Sequence, residues 1–222
     1  MKASCDQSAA NRPSNAQPIT RIDDHGVGAV FLQTQITGTM LVLAQEYTRV
    51  GRGGTPFTTL RLPFGSGATG EGVRATLNRT VLEEAAANAA DFDFETLSAA
   101  PLYWQVVTSD KSGDRTHLKV VFPARIGRGA TRDCRRITDA GTEREEELGP
   151  LQWFDIEQLL PRMMNEASPI VHRLGVVSAL FWASRQSATV ARYYQKQRRY
   201  YARALASFEP FHPVVDEYLG RE

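Results

Sequence analysis

Residues 62–89 read LPFGSGATGEGVRATLNRTVLEEAAANA. Gly65, Gly67, Gly70 and Gly72 open the stretch, and a run rich in Ala, Leu, Glu and Arg follows. That run predicts a helix from Val73 to about Asn88, with Gly72 at its mouth. A glycine loop feeding a helix suggests a phosphate cradle of the form G-x-x-x-x-G-K-[ST]. Gly65 and Gly70 have that spacing, but Glu71 and Gly72 stand where the lysine and the hydroxyl residue belong. An anionic side chain at that point repels the phosphates it would have to grip, so this reading fails.

The carboxylates suggest a different ligand. Glu83 and Glu84 are adjacent on the helix, so their side chains diverge by about 100° while both can reach a pocket beside it. Arg79 precedes Glu83 by four residues and can pair with it across one turn. Leu77 and Val81 mark the core-facing side. Hard cations such as Mg²⁺ take oxygen ligands and bind through one or two carboxylates plus substrate phosphates. Glycines let the backbone approach the same ion. The pattern suits a metal-bound diphosphate, in which the metal brings the positive charge a lysine would otherwise supply. A glutamate pair alone is an ordinary solvated helix face. The joint spacing of Gly65, Glu71, Arg79, Glu83 and Glu84 lifts it above that background.

These residues resemble the signature box of Nudix hydrolases. That box runs Gly, five residues, Glu, seven residues, Arg-Glu, an aliphatic residue, any residue, Glu-Glu, any residue, Gly and an aliphatic residue. Here Gly65, Glu71, Arg79, Val81, Glu83 and Glu84 keep the spacing without insertion, and Leu62-Pro63 is similar to the usual lead-in. Residues 145–159, EEELGPLQWFDIEQL, resemble the family's closing segment, in which an acidic residue precedes a strand ending in Trp and then a short helix.

The resemblance spans residues 26–160. It implies an α+β fold, an α/β/α sandwich with a mixed sheet. It also implies hydrolysis of a nucleoside diphosphate linked to another group, with Mg²⁺ or Mn²⁺ and attack of a metal-activated water on phosphorus. Carried over residue by residue, it makes Glu83, Glu84 and the backbone carbonyl of Phe64 metal ligands. Arg79 orients the carboxylates, and Glu71 supports that network. Glu146 stands for a further ligand or general base, although register does not separate it from Glu145 and Glu147.

Four positions depart from the pattern. Thr80 replaces the glutamate after the arginine, often a metal ligand in the family, so one ligand and one negative charge are lost. Ala86 and Ala87 replace the closing glycine and aliphatic residue, which lets the helix run on. Phe64 replaces a glycine whose backbone carbonyl any residue can supply. Thr80 sets a second reading beside the first: a catalytically impaired module that binds nucleotide or regulates a partner.

The rest of the chain adds context. With 222 residues, 42% of them hydrophobic and 23% charged, it can bury a substantial core. The formal charge of +1 selects no partner by bulk electrostatics. Cys5 and Cys134 are too few for a disulfide scaffold, and His25, His117, His172 and His212 lack ligand spacing. Residues 1–20 have no apolar run for a signal peptide and read as a disordered leader. No run suits a membrane span, so a soluble, cytoplasmic protein is expected.

Alternating apolar runs predict strands over 26–35 and 39–49 joined by a turn at ITG, then over 57–62, 102–109, 116–126 and 152–154. Asp155 reads as the cap of a short helix that Pro161 stops. The Nudix-like domain is expected over 21–165 and a helical extension over 166–222. In the extension Ile170, Leu174, Val177 and Phe181 form one apolar face of a first helix. A second helix, from about Ser187 to Phe208, carries Arg192, Lys196, Arg199 and Arg203 as a basic stripe. That stripe reads as a solvated face ahead of a nucleic-acid surface. The tail 208–222 suits docking on a neighbouring subunit, which would make a homodimer. In the loop 124–136, Arg125, Arg128 and Arg132 are candidates to grip substrate phosphates. Tyr103 and Trp104 are candidates for base stacking or for the core. The expected partner is a small nucleotide or another diphosphate.

Overall fold

Strand β1 (Asp24–Thr34) is the axis of the sheet, and the residues from His25 to Phe31 are all buried. A strand reads as a continuous buried run when both sheet faces are covered. The computed structural model describes residues 18–50, 56–85, 94–96, 100–109, 115–126, 147–149, 151–165, 168–195 and 211–220. Residues 1–17 of the leader, residues 127–146 of the arginine-rich region, and Lys196, Arg199 and Arg203 of the basic stripe lie outside them.

β1 shares one edge between two partners. Its first part pairs antiparallel with β4 (Phe64–Ser66), and its end pairs with β2 (Met40–Val50). Gly38, with φ of 89°, makes the turn between β1 and β2, a backbone shape that favours glycine. β3 (Pro56–Arg61) adds to β2 as a hairpin. On the other edge β7 (Arg115–Ile126) runs parallel to β1 and carries β5 (Phe94–Thr96) and β6 (Tyr103–Ser109). β8 (Glu147–Leu148) and β9 (Gln152–Asp155) return to β2.

The pleat then sorts the core. Val27, Ala29, Phe31, Leu118, Val120 and Phe122 meet Val73, Leu77 and Val81 of α1 (Val73–Ala85). Val30, Val42, Leu60, Leu62 and Val121 share the opposite cluster with α2 (Ile156–Asn165) and α3 (Ile170–Gln186). The result is the mixed, α+β sandwich that the sequence implied. Tyr103 is buried and Trp104 packs partly into the α1-side cluster, so both serve the core.

Three expectations need correction. Pro161 does not stop α2, which continues to Asn165 with the proline inside it. A proline there removes one backbone bond and costs about 3 kcal/mol. Burial of Leu159, Leu160 and Met163 outweighs that, at about 1.5–3 kcal/mol per apolar side chain. In α3 the expected face is only half-buried at Ile170, Leu174 and Phe181. The deepest positions are instead Val171, Val176, Ala179 and Leu180, because the helix is apolar nearly all round and lies between the sheet and α4 (Ala188–Tyr194). The tail is also intramolecular: α5 (Pro213–Leu219) sets Val215 into the α1-side cluster and Tyr218 against His25. Ser187 caps α4, its hydroxyl accepting from the Val190 N–H at 3.3 Å.

Replacing Pro161 with alanine restores a helical N–H without disturbing the buried face. Pro161→Ala is expected to stabilise the protein by about 1–3 kcal/mol, read as a higher urea midpoint with unchanged slope. A lower midpoint would show that the proline ring itself packs favourably.

Candidate active site

β3 ends at Arg61, and the chain turns through Leu62-Pro63 into β4. Arg61 is the register partner of Gln45 in the β2–β3 ladder, so the two side chains leave the same face of the hairpin. Tyr47, two residues on from Gln45, shares that face and lies under the Arg61 guanidinium, 4.6 Å from its ring centre. Glu84, in the last turn of α1, projects into this corner. Its Oε1 accepts from Arg61 Nη2 at 2.5 Å. Its Oε2 accepts from Gln45 Nε2 at 3.0 Å and from the Phe64 backbone N–H at 2.9 Å. The Arg61 and Glu84 side chains are 16% and 10% exposed, so this is a largely desolvated ion pair.

A second network lies on the outer side of α1. Arg79 donates from Nε to Glu71 Oε1 at 2.9 Å and from Nη2 to Glu71 Oε2 at 2.8 Å, a bidentate grip. Its Nη1 reaches Glu83 Oε2 at 3.0 Å, and its Nη2 also donates to the Ser66 carbonyl at 2.7 Å. Glu71 in turn accepts from the Ala68 N–H at 2.8 Å. One arginine therefore ties the glycine loop, the entry to α1 and Glu83 together. The divergence expected of adjacent helical residues sends Glu83 outward, 47% exposed, and Glu84 inward.

Thr80 sits between the two networks, buried beneath the loop. A Cβ on Gly65 would collide with its hydroxyl, so the close approach of helix and strand requires glycine there. Among the described residues the Thr80 hydroxyl has no hydrogen-bond partner.

The electrostatics follow from these contacts. The bidentate Arg79, then the Ala68 N–H, hold the Glu71 carboxyl down at about 2. The same pairing raises Arg79. Burial pushes Glu84 up to about 7 against the opposing pull of Arg61, the Phe64 N–H and Gln45. His172, on α3, accepts weakly from the Leu62 N–H at 3.4 Å and meets the Phe64 ring edge-on at 5.1 Å. Burial, followed by the charges of Arg61 and Lys119, keeps its ring neutral by lowering its pKa to about 3.

Glu71, Arg79, Glu83, Glu84 and Phe64 are thus brought together. Arg125 is exposed near the end of β7, in register with Glu95 of β5, and has no described contact with them. Arg128, Arg132 and Glu146 lie outside the described residues, although β8 begins at Glu147 beside Thr48 of β2. Sequence reasoning missed Gln45, Arg61 and His172. Arg61, two residues before Pro63, was within view, but its link to Gln45 depends on strand register. A cavity of about 700 Å³ opens beside the glycine loop, lined by Asp23, His25, Glu71, Arg74, Arg115 and Tyr218 among others. Glu83 and Glu84 do not line it, so it is not the site of the acidic pair.

Solved Nudix hydrolases resemble this chain in fold. The NUDIX hydrolase from Nitrosomonas europaea is 22% identical over 67% of this chain and 82% of its own, with a TM-score of 0.43. The C. elegans Ap4A hydrolase in a binary complex is 14% identical over 72% and 99%, with a TM-score of 0.43. An ADP-ribose pyrophosphatase from Streptococcus suis is 18% identical over 70% and 91%, with a TM-score of 0.40. No family model matches the chain, and no curated protein matches it.

Because Glu71 titrates lower in the folded state than the ordinary 4.5, its stabilisation is present above that value and lost as pH falls toward about 2. Glu71→Gln is therefore expected to be less stable than the native protein at pH 7, with the deficit narrowing from about pH 4.5 downward. Urea unfolding at a series of pH values reads this directly. A deficit independent of pH would mean that the Arg79 grip contributes nothing through charge.

Proposed function

We propose that this chain is a Nudix-type hydrolase that cleaves a diphosphate linkage in a nucleoside diphosphate joined to a second group, using Mg²⁺ or Mn²⁺. The observation that carries this reading is the convergence of Glu71, Arg79, Glu83 and Glu84 on the β4 segment. A solvated acidic pair would need none of that network.

The donor chemistry fits a hard divalent cation. Glu83 and Glu84 offer carboxylate oxygens from adjacent residues, and Phe64, whose N–H already meets Glu84, offers a backbone carbonyl. Glu146 is the further acid of this reading. Thr80 brings only a neutral hydroxyl, so the set carries one charge fewer than the usual box. When bound, the cation supplies positive charge against the phosphates and makes water a better nucleophile. The chain's residues do the positioning. Arg79 holds Glu71 and Glu83, while Gln45 and the Phe64 N–H orient Glu84. Arg125, Arg128 and Arg132 are assigned to the phosphates or to the second group. The partner is a small nucleotide or a related diphosphate. No described helix is long and apolar enough to cross a membrane.

Thr80 favours one other reading, a nucleotide-binding module on the same fold that does not cleave what it holds. A panel of diphosphate-linked compounds, assayed for nucleotide or phosphate release with and without Mg²⁺ or Mn²⁺, separates the two. Metal-dependent turnover is expected, and Glu84→Gln is expected to reduce it at least about a hundredfold. Binding without turnover, with activity appearing only in Thr80→Glu, would establish the module instead.

A further inference from the structure

We propose that Arg61 is a built-in competitor for the metal site. Its guanidinium occupies Glu84, and a divalent cation binds there only by displacing it. This inference rests on the reading of Glu83 and Glu84 as metal ligands and concerns how that site is regulated.

The geometry carries it. Of the described donors to Glu84, Arg61 is the charged one, at 2.5 Å on Oε1. Both side chains are largely shielded from water, so screening does little to loosen the pair. Arg61 is held in place by more than Glu84. It is the register partner of Gln45, and its guanidinium rests on the Tyr47 ring. Arg79 is a different case, since its bidentate grip goes to Glu71 and it touches only Glu83 of the acidic pair. The two carboxylates are thus attended by separate arginines, and the inward one already carries a cationic partner on the carboxylate that would serve a metal.

The pair need not be a permanent block. The Arg61 Nε is buried without a hydrogen-bond partner among the described residues, so the guanidinium is not fully satisfied by them. The Tyr47 face can keep holding the planar group after Glu84 is released. The site would then load metal only when the divalent concentration is high enough to win the exchange.

Two measurements test this. Mn²⁺ binding is compared by titration calorimetry at one fixed pH in the native chain and in Arg61→Gln, with thermal melts confirming that the variant is folded. Mg²⁺ is then titrated into the native chain while the side-chain ¹⁵N resonance of Arg61 is followed by NMR, which does not depend on the variant folding. Arg61→Gln is expected to bind Mn²⁺ at least about tenfold more tightly, and the Arg61 resonance is expected to shift and saturate with Mg²⁺. Equal or weaker Mn²⁺ binding by the variant, or an Arg61 resonance unmoved at saturating Mg²⁺, overturns the competition while leaving the metal site standing. No Mn²⁺ binding by either protein at millimolar concentration overturns the metal-site reading as well.

Discussion

A buried carboxylate organises this molecule. Glu84 sits at the corner where α1, the β2–β3 hairpin and the start of β4 meet, and it takes one donor from each of β2, β3 and β4. A carboxylate in that position is costly unless every oxygen is met. Removing one partner of such a pair typically costs about 3–5 kcal/mol, because the other charge is left uncompensated. The hairpin register, the turn at Leu62-Pro63 and the seating of α1 are therefore coupled through one side chain. Burial that raises the Glu84 pKa to about 7 also makes this corner sensitive to its surroundings.

The outer network works on different terms. Arg79 and Glu83 are nearer to water, and the contribution of their pair is geometric more than energetic. A bidentate arginine fixes direction as well as distance, so Glu71 closes the loop over the first turn of α1 while Glu83 stays at the rim. Thr80 lies between the two networks with no hydrogen-bond partner among the described residues, against Gly65, whose missing side chain makes room for it.

The helices after the sheet belong to the same structure. His172 of α3 reaches the Leu62 N–H and the Phe64 ring, the segment that also serves Glu84. From α5, Tyr218 bonds one nitrogen of His25, whose other nitrogen meets Thr76 in the first turns of α1. The chain's final helix is thereby linked to the helix that carries the acidic pair. Both links join residues more than a hundred positions apart.

The sequence alone determined the box. The spacing of Gly65, Glu71, Arg79, Glu83 and Glu84 placed the loop, the helix and the divergence of the two carboxylates, because helical geometry follows from local spacing. β1, β2, β3, β6 and β7 were equally legible from their alternation, whereas β4 and β5, three residues each, are too short to show one. What only the tertiary structure decided was the company these residues keep. Arg61 and Gln45 belong to the site because strand register sets them side by side, and register is a property of two strands, not of either. Pro161 remains inside α2 because buried neighbours outweigh a local penalty. The tail folds back on its own domain because Val215 and Tyr218 find distant partners there. Local spacing sets which way a side chain points, but what it meets depends on long-range packing.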